Sequence, residues 1–237
     1  MLNGKRLLAV VPARGGSKGL KLKNIQPVLG IPIVARVGRV VKELGYFDRA
    51  ICSTDHAEIK KVAEGAGLAV PFMRPVEISG DRISDLQVLT HALTEIEKLD
   101  RTTYDVVVML QPTSPMRTAA HVDATIRKCL DGGWDSVWTL SAVELKFHPL
   151  KLMSVAADGA MDYWDPRGEQ IIARQQLSPA YYRNGAAYAI TRDCLLVQKS
   201  IKGKKGAAYV IEEPLVDIDG KEDLEAAEKA LKAAGRW

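Results

Sequence analysis

Arg6-Leu7-Leu8-Ala9-Val10-Val11-Pro12-Ala13-Arg14-Gly15-Gly16-Ser17-Lys18-Gly19 runs from an unbroken apolar stretch straight into a basic, glycine-rich turn. An apolar run this short, bounded by turn signals, predicts a strand buried on both faces. The amphipathic stretch from Ile31 to Leu44 then predicts a helix, so the unit reads strand, loop, helix. The rhythm recurs. Strands are expected at Ala50 to Thr54, near Leu68 to Phe72, Val106 to Leu110 and Ser136 to Leu140. Helices are expected at Ala57 to Ala66, Ser84 to Lys98 and His121 to Leu130. Strands apolar on both faces that alternate with helices specify an α/β fold with a Rossmann-like, mostly parallel sheet flanked by helices. Such sheets bind ligands beyond the carboxyl ends of their strands.

Alternation breaks from Glu144 to about Arg183, where aromatics, prolines and a short strand-like Ala160 to Trp164 are scattered. That segment reads as an inserted arm. The predicted division is therefore residues 1–143 with 184–237 as one α/β domain and 144–183 as the arm, read as a contact between two copies. Strands resume at Ala186 to Ile190 and Ala208 to Ile211, and Lys221 to Ala233 closes as a helix.

The 237 residues are 47% hydrophobic and 26% charged, which excludes a disordered tail and a polytopic membrane protein. Leu7 to Ala13 only imitates a signal-peptide core. Three scattered cysteines, Cys52, Cys129 and Cys194, offer no disulfide framework and point to a reducing cytoplasm. A net charge of +4 does not imply nucleic-acid binding. Its distribution says more: residues 1–42 hold nine Lys or Arg and no acid. This excess around a glycine turn suits a compact polyanion such as a triphosphate, the alternative being a solvated basic loop.

Five constellations could carry chemistry. In Ala13-Arg14-Gly15-Gly16-Ser17-Lys18-Gly19 and on to Lys23-Asn24, glycines let backbone N–H groups converge on an anion that nearby cations neutralise. Asp55, in Ser53-Thr54-Asp55, reads first as a helix N-cap. Gln111, in Gln111-Pro112-Thr113-Ser114-Pro115-Met116-Arg117, offers a donor and an acceptor at the sheet rim, unless the loop is merely a rigid connection capped by Ser114 or Thr118. Around Arg174, Tyr181, Tyr182, Arg183 and Asn184, a guanidinium suits a carboxylate while hydroxyls and amides suit a sugar. In Val216-Asp217-Ile218-Asp219, alternation puts two carboxylates on one side and the apolar pair toward the core. Hard oxygen ligands of this kind suit Mg²⁺, although any half-exposed strand alternates in the same way. The four histidines show no metal spacing.

At these residues the chain resembles the CMP-sialic acid synthetase family, the acylneuraminate cytidylyltransferases. The collinear matches are A-R-G-G-S-K-G-L-x-x-K-N from Ala13, S-T-D at Ser53, L-Q-P-T-S-P-M-R from Leu110, H-P-L-K at His148, R-Q-Q-x-x-x-A-x-x-x-N-G-A-x-Y from Arg174 and D-I-D-x-x-x-D-L from Asp217. The resemblance implies a fold of the nucleotide-diphospho-sugar transferase type, a homodimer formed through the arm, and Mg²⁺-dependent transfer of CMP from CTP to a nonulosonic acid, with pyrophosphate released. It implies that Ala13, Arg14, Gly15, Gly16, Ser17, Lys18, Lys23 and Asn24 hold the nucleotide, with Ser84 or Asp85 beside it. Gln111, Lys151, Arg174, Asn184 and Tyr188 would take the sugar acid, and Asp217 and Asp219 the metal; Arg14, Lys18 and the two aspartates would serve the chemistry. The chain departs from the family pattern at Lys21, where relatives have proline, and lacks an aromatic pair near Lys199 to Lys202. Within the class, the alternative acceptors are pseudaminate, legionaminate, the deaminated sialate or an eight-carbon keto-sugar acid. Outside it, the alternative is a non-catalytic nucleotide or nucleic-acid binder. No membrane partner is expected.

Overall fold

A computed structural model describes residues 1–236. In chain order the elements are β1 (Leu7–Pro12), β2 (Pro27–Val28), β3 (Ile31–Pro32), α1 (Ile33–Leu44), β4 (Arg49–Ser53), α2 (Ala57–Gly65), α3 (Asp85–Asp100) and β5 (Val106–Met109). There follow α4 (Ala119–Asp131), β6 (Ser136–Ala142), β7 (Met153–Val155), β8 (Met161–Tyr163), β9 (Tyr181–Thr191), α5 (Arg192–Leu196), β10 (Gly206–Val210) and α6 (Lys221–Ala233). The central sheet has the order β10-β6-β9-β5-β1-β4. β1 is parallel to β4 and β5, and β6 to β10, whereas β9 runs antiparallel to both its neighbours.

Strand alternation divides the core. Leu7, Ala9 and Val11 of β1 pack with Val34 and Val37 of α1, Ile59 of α2 and Ile126 of α4. Leu8 and Val10 point the other way, onto Leu89, Leu93 and Ile96 of α3. Successive residues of one strand thus feed two helical layers, as expected of a strand apolar throughout. A third cluster, Val28, Ile33, Met116, Ile218, Ala227 and Leu231, seats α6 against the β2–β3 hairpin.

Three expectations change. The strand foreseen near Leu68 to Phe72 reduces to a single parallel bridge from Ala69 to Ile51, because Pro71 cannot extend a ladder of N–H donors. β9 begins at Tyr181 and pairs Ala142 through that residue, so residues 181–183 belong to the central sheet and not to the arm. Asp217 and Asp219 lie outside any strand, although the alternation holds: Ile218 is fully buried, Asp219 is exposed, and Asp217 keeps solvent-facing surface while its carboxyl is partly desolvated by the cleft wall.

The arm itself is the β7–β8 hairpin with short 3-10 turns at Leu145–Phe147, Pro149–Lys151, Pro166–Gln170 and Arg174–Gln176. His148 ties it together, its Nδ1 accepting from the Leu150 N–H and its Nε2 lying 2.9 Å from the Ser178 carbonyl. Val155, Met161, Trp164 and Ile172 are each at least 70% exposed there. Among the described residues no helix is long and apolar enough to cross a membrane, and the three cysteines are buried and unpaired.

Candidate functional site

Past the carboxyl end of β1, the glycine turn is held open by a carboxylate. Asp55 accepts a 2.8 Å hydrogen bond from the Gly15 N–H, and the N-cap of α2 is instead His56, whose Nδ1 accepts from Glu58. The cap expected of Asp55 is therefore a loop anchor. Asn24 is buried and donates to the Arg14 carbonyl at 2.9 Å, closing the far side of the turn. At Gly19 an added Cβ would lie 2.9 Å from the Asp219 carbonyl oxygen, so only glycine lets this loop pass so close to the acidic segment. Lys23 Nζ reaches Asp219 at 2.9 Å across the same seam.

The result is an open cleft of about 610 Å³. Arg14, Ser17, Lys18, Gly19, Lys23 and Asn24 line one part of it, and Asp217 and Asp219 face them, with Asp85 and Gln111 also on its wall; Ala13, fully buried, and Gly15 and Gly16 do not line it, contrary to expectation. Burial pushes the Asp217 carboxyl above the usual range and the neighbouring Asp219 adds to this, while a hydrogen bond from Thr113 and the Lys23 charge oppose it. Asp85 is likewise raised by burial, against the pull of Arg183 and Arg74. Ser84 does not line the cleft: its hydroxyl caps α3 by accepting from the Gln87 N–H. Between the two residues left open by the sequence, Asp85 is the one on the cleft wall.

Two side chains that sequence reasoning passed over complete the site. Asp81 bridges Arg14 at 2.6 Å and Lys18 at 2.5 Å, and these two contacts hold its carboxyl below the usual range. A carboxylate thereby sits where an anionic ligand's oxygens would be drawn. Asp81→Asn is expected to tighten pyrophosphate binding severalfold, roughly threefold to tenfold, by freeing both cations. Calorimetric titration would show it; weaker binding would mean that Asp81 orients the cations for the ligand. Arg74 is the second, 5% exposed and bonded to Ser53 through Nε, with burial lowering its pKa. An isolated arginine in a loop carries no sequence signal for this.

The residues assigned to the sugar acid do not assemble in one place. Gln111 lines the cleft. Lys151 and Arg174 are exposed and line a separate cavity of about 300 Å³ in the arm, with Tyr163 and Ile172. Asn184 is 3% exposed and spends its amide internally: Oδ1 accepts from Thr139 and the Ala186 N–H, and Nδ2 donates to Ser141. Tyr188 is 2% exposed, stacked on Trp138 with ring centroids 5.0 Å apart. Both are enclosed because β9 is covered on both faces from Asn184 to Ile190.

Asp217 and Asp219 fit a hard divalent cation as an incomplete donor set. Two carboxylates share the cleft, and no cluster of three or more metal-type side chains exists among the described residues. Such a pair suits an ion whose remaining ligands are phosphate oxygens and water.

Comparison with known proteins identifies the family. Residues 8–234 match the cytidylyltransferase family. The chain is 30% identical over 226 residues to pseudaminic acid cytidylyltransferase of Campylobacter jejuni, covering 95% of this chain and 96% of that one. It is 28% identical over 231 residues to N-acylneuraminate cytidylyltransferase of Escherichia coli, covering 94% of this chain but 51% of the other, so it spans about half that relative's length. The fold is similar to that of CMP:2-keto-3-deoxy-manno-octonic acid synthetase complexed with CTP, with a TM-score of 0.71, 17% identity, and 97% and 99% of the two chains covered. With its glycine turn and acidic pair both inside the matched span, the chain belongs to the cytidylyltransferase family.

Proposed function

We propose that this protein transfers CMP from CTP to the anomeric hydroxyl of a nonulosonic acid and releases pyrophosphate. The observation that carries this reading is the single cleft in which Arg14, Lys18 and Lys23 face Asp217 and Asp219. The hydroxyl oxygen attacks the α-phosphorus, the bond to the bridging oxygen breaks, and pyrophosphate leaves as the hydroxyl proton passes to solvent. Charge grows on the leaving group, and Arg14 and Lys18, with the Gly19 segment of the cleft wall, would meet it. Lys23 holds Asp219 toward the turn. Mg²⁺ held by Asp217 and Asp219 would neutralise α-phosphate charge. Gln111 supplies an amide for the acceptor sugar on the cleft wall.

Lys151 and Arg174 line a cavity that shares no residue with the cleft. They are read as sugar-acid ligands offered to the cleft of a second copy, which makes the working unit a homodimer. The exposed Val155, Met161, Trp164 and Ile172 of the arm support this, since so many large apolar side chains left in solvent on one segment suit a contact site. Trp164→Asp with Ile172→Asp is expected to give a monomer by light scattering and to abolish most transfer. A fully active monomer would remove the shared-site reading.

The deciding assay is pyrophosphate release with CTP, Mg²⁺ and a panel of keto-sugar acids that includes sialate and pseudaminate, run beside the other three nucleoside triphosphates. No release with any acid, together with steeply salt-dependent RNA binding, would favour a non-catalytic binder.

A further inference from the structure

Arg117 is a buried guanidinium, 7% exposed, whose hydrogen bonds all end on backbone carbonyls: Ala186 from Nε, and Gln111 and Gly185 from Nη2. Burial lowers its pKa to about 9, with Asp217 and Tyr188 opposing. A buried cation without a bonded carboxylate is costly, so the position demands an account.

The carbonyls it collects belong to two segments. Gln111 begins the loop after β5, while Gly185 and Ala186 lie in β9 at the stem of the arm. Gly185 has φ +68°, and the β6–β9 register shifts between Trp138 and Leu140, so the strand kinks here. Other bonds close the same seam: Ser114 Oγ donates to the Asn184 carbonyl, and the Gln111 N–H to Gly185 at 3.3 Å. An added Cβ on Gly185 would lie 2.4 Å from Gln111 Oε1. On its other side the loop grips the acidic segment. The Thr113 carbonyl accepts from the Ile218 N–H at 2.9 Å, and its side chain hydrogen-bonds Asp217.

We propose that Arg117 is a positioning residue that clamps the arm stem to the Gln111–Thr113 loop and thereby sets where Asp217 stands in the cleft. The inference rests on the nucleotidyl-transfer reading above for its catalytic consequence, although the clamp can be detected without turnover. Lysine cannot replace it, because one ammonium lacks the planar fork that reaches carbonyls on two segments at once.

The test uses the full-length protein with Arg117→Lys, and with Ser114→Ala as a milder variant that keeps the cation should the first not fold. Hydrogen exchange at the Ile218 amide is expected to quicken by about tenfold or more in Arg117→Lys while the β1 amides stay protected. Pyrophosphate release should fall by roughly 30-fold to 100-fold in kcat with KM for CTP changed by less than about threefold. Adding Thr113→Val should cost little more, since both substitutions break one path. Unchanged Ile218 exchange with intact kcat, or protection lost uniformly across the sheet, would overturn the clamp. Faster Ile218 exchange in a protein whose wild type releases no pyrophosphate with any acid would instead sink the transfer reading and leave the clamp standing.

Discussion

Asp217→Asn is expected to slow CMP transfer by about 10³-fold or more, because on the proposed reading it removes a charged oxygen that would hold the metal against the α-phosphate. The fold should not suffer. Burial raises the Asp217 carboxyl above its unfolded value, so above the ordinary carboxylate range the ionised side chain weakens the folded state. That penalty disappears as pH falls through the raised value. At neutral pH the amide should therefore unfold at the same temperature as wild type or higher, while turnover collapses. The same direction predicts that metal affinity falls as the pH drops through the raised carboxyl range, since the proton must leave first. Pyrophosphate release, thermal unfolding and a metal titration at two pH values check all three. A folded variant with wild-type turnover would remove Asp217 from the metal assignment.

Asn184→Leu is expected to cost stability, by about 3 kcal/mol, from the desolvated partners it abandons. Thr139 and Ser141 hydroxyls and the Ala186 N–H all lose a bond in a region closed to water. Urea denaturation measures the loss. A variant as stable as wild type, yet weak in sugar binding, would mean that the amide faces the cleft in the working protein.

The layered sheet was legible because β1 is apolar on every residue, a pattern that requires helices on both sides. α6 is found at Lys221–Ala233, the expected span. The basic turn and the acidic pair were legible as chemistry, since their residue types name their ligands. Their meeting in one cleft was not, because no local signal says that Gly19 touches the Asp219 carbonyl at a separation of 200 residues. Asp55 misled for the opposite reason: aspartate before a helix is usually a cap, and the long-range bond to Gly15 overrides that local preference. Asn184 and Tyr188 were assigned to the sugar acid through the family resemblance, Asn184 at the edge of a polar stretch and Tyr188 inside the expected strand Ala186 to Ile190. Only the extension of β9 back to Tyr181 shows that Asn184 is enclosed by the sheet, and only the packing on Trp138 shows that Tyr188 is covered.

β9 is the one strand of the central sheet that runs against its neighbours, and the arm is spliced between it and β6. Antiparallel neighbours can be joined by a two-residue hairpin, whereas parallel ones need a crossover. The arm is consequently a removable cassette. Excision between Ala142 and Tyr181, with a short Asn-Gly link, leaves every pairing of the central sheet available, so a lineage or an engineer could exchange the arm without redesigning the layers beneath it.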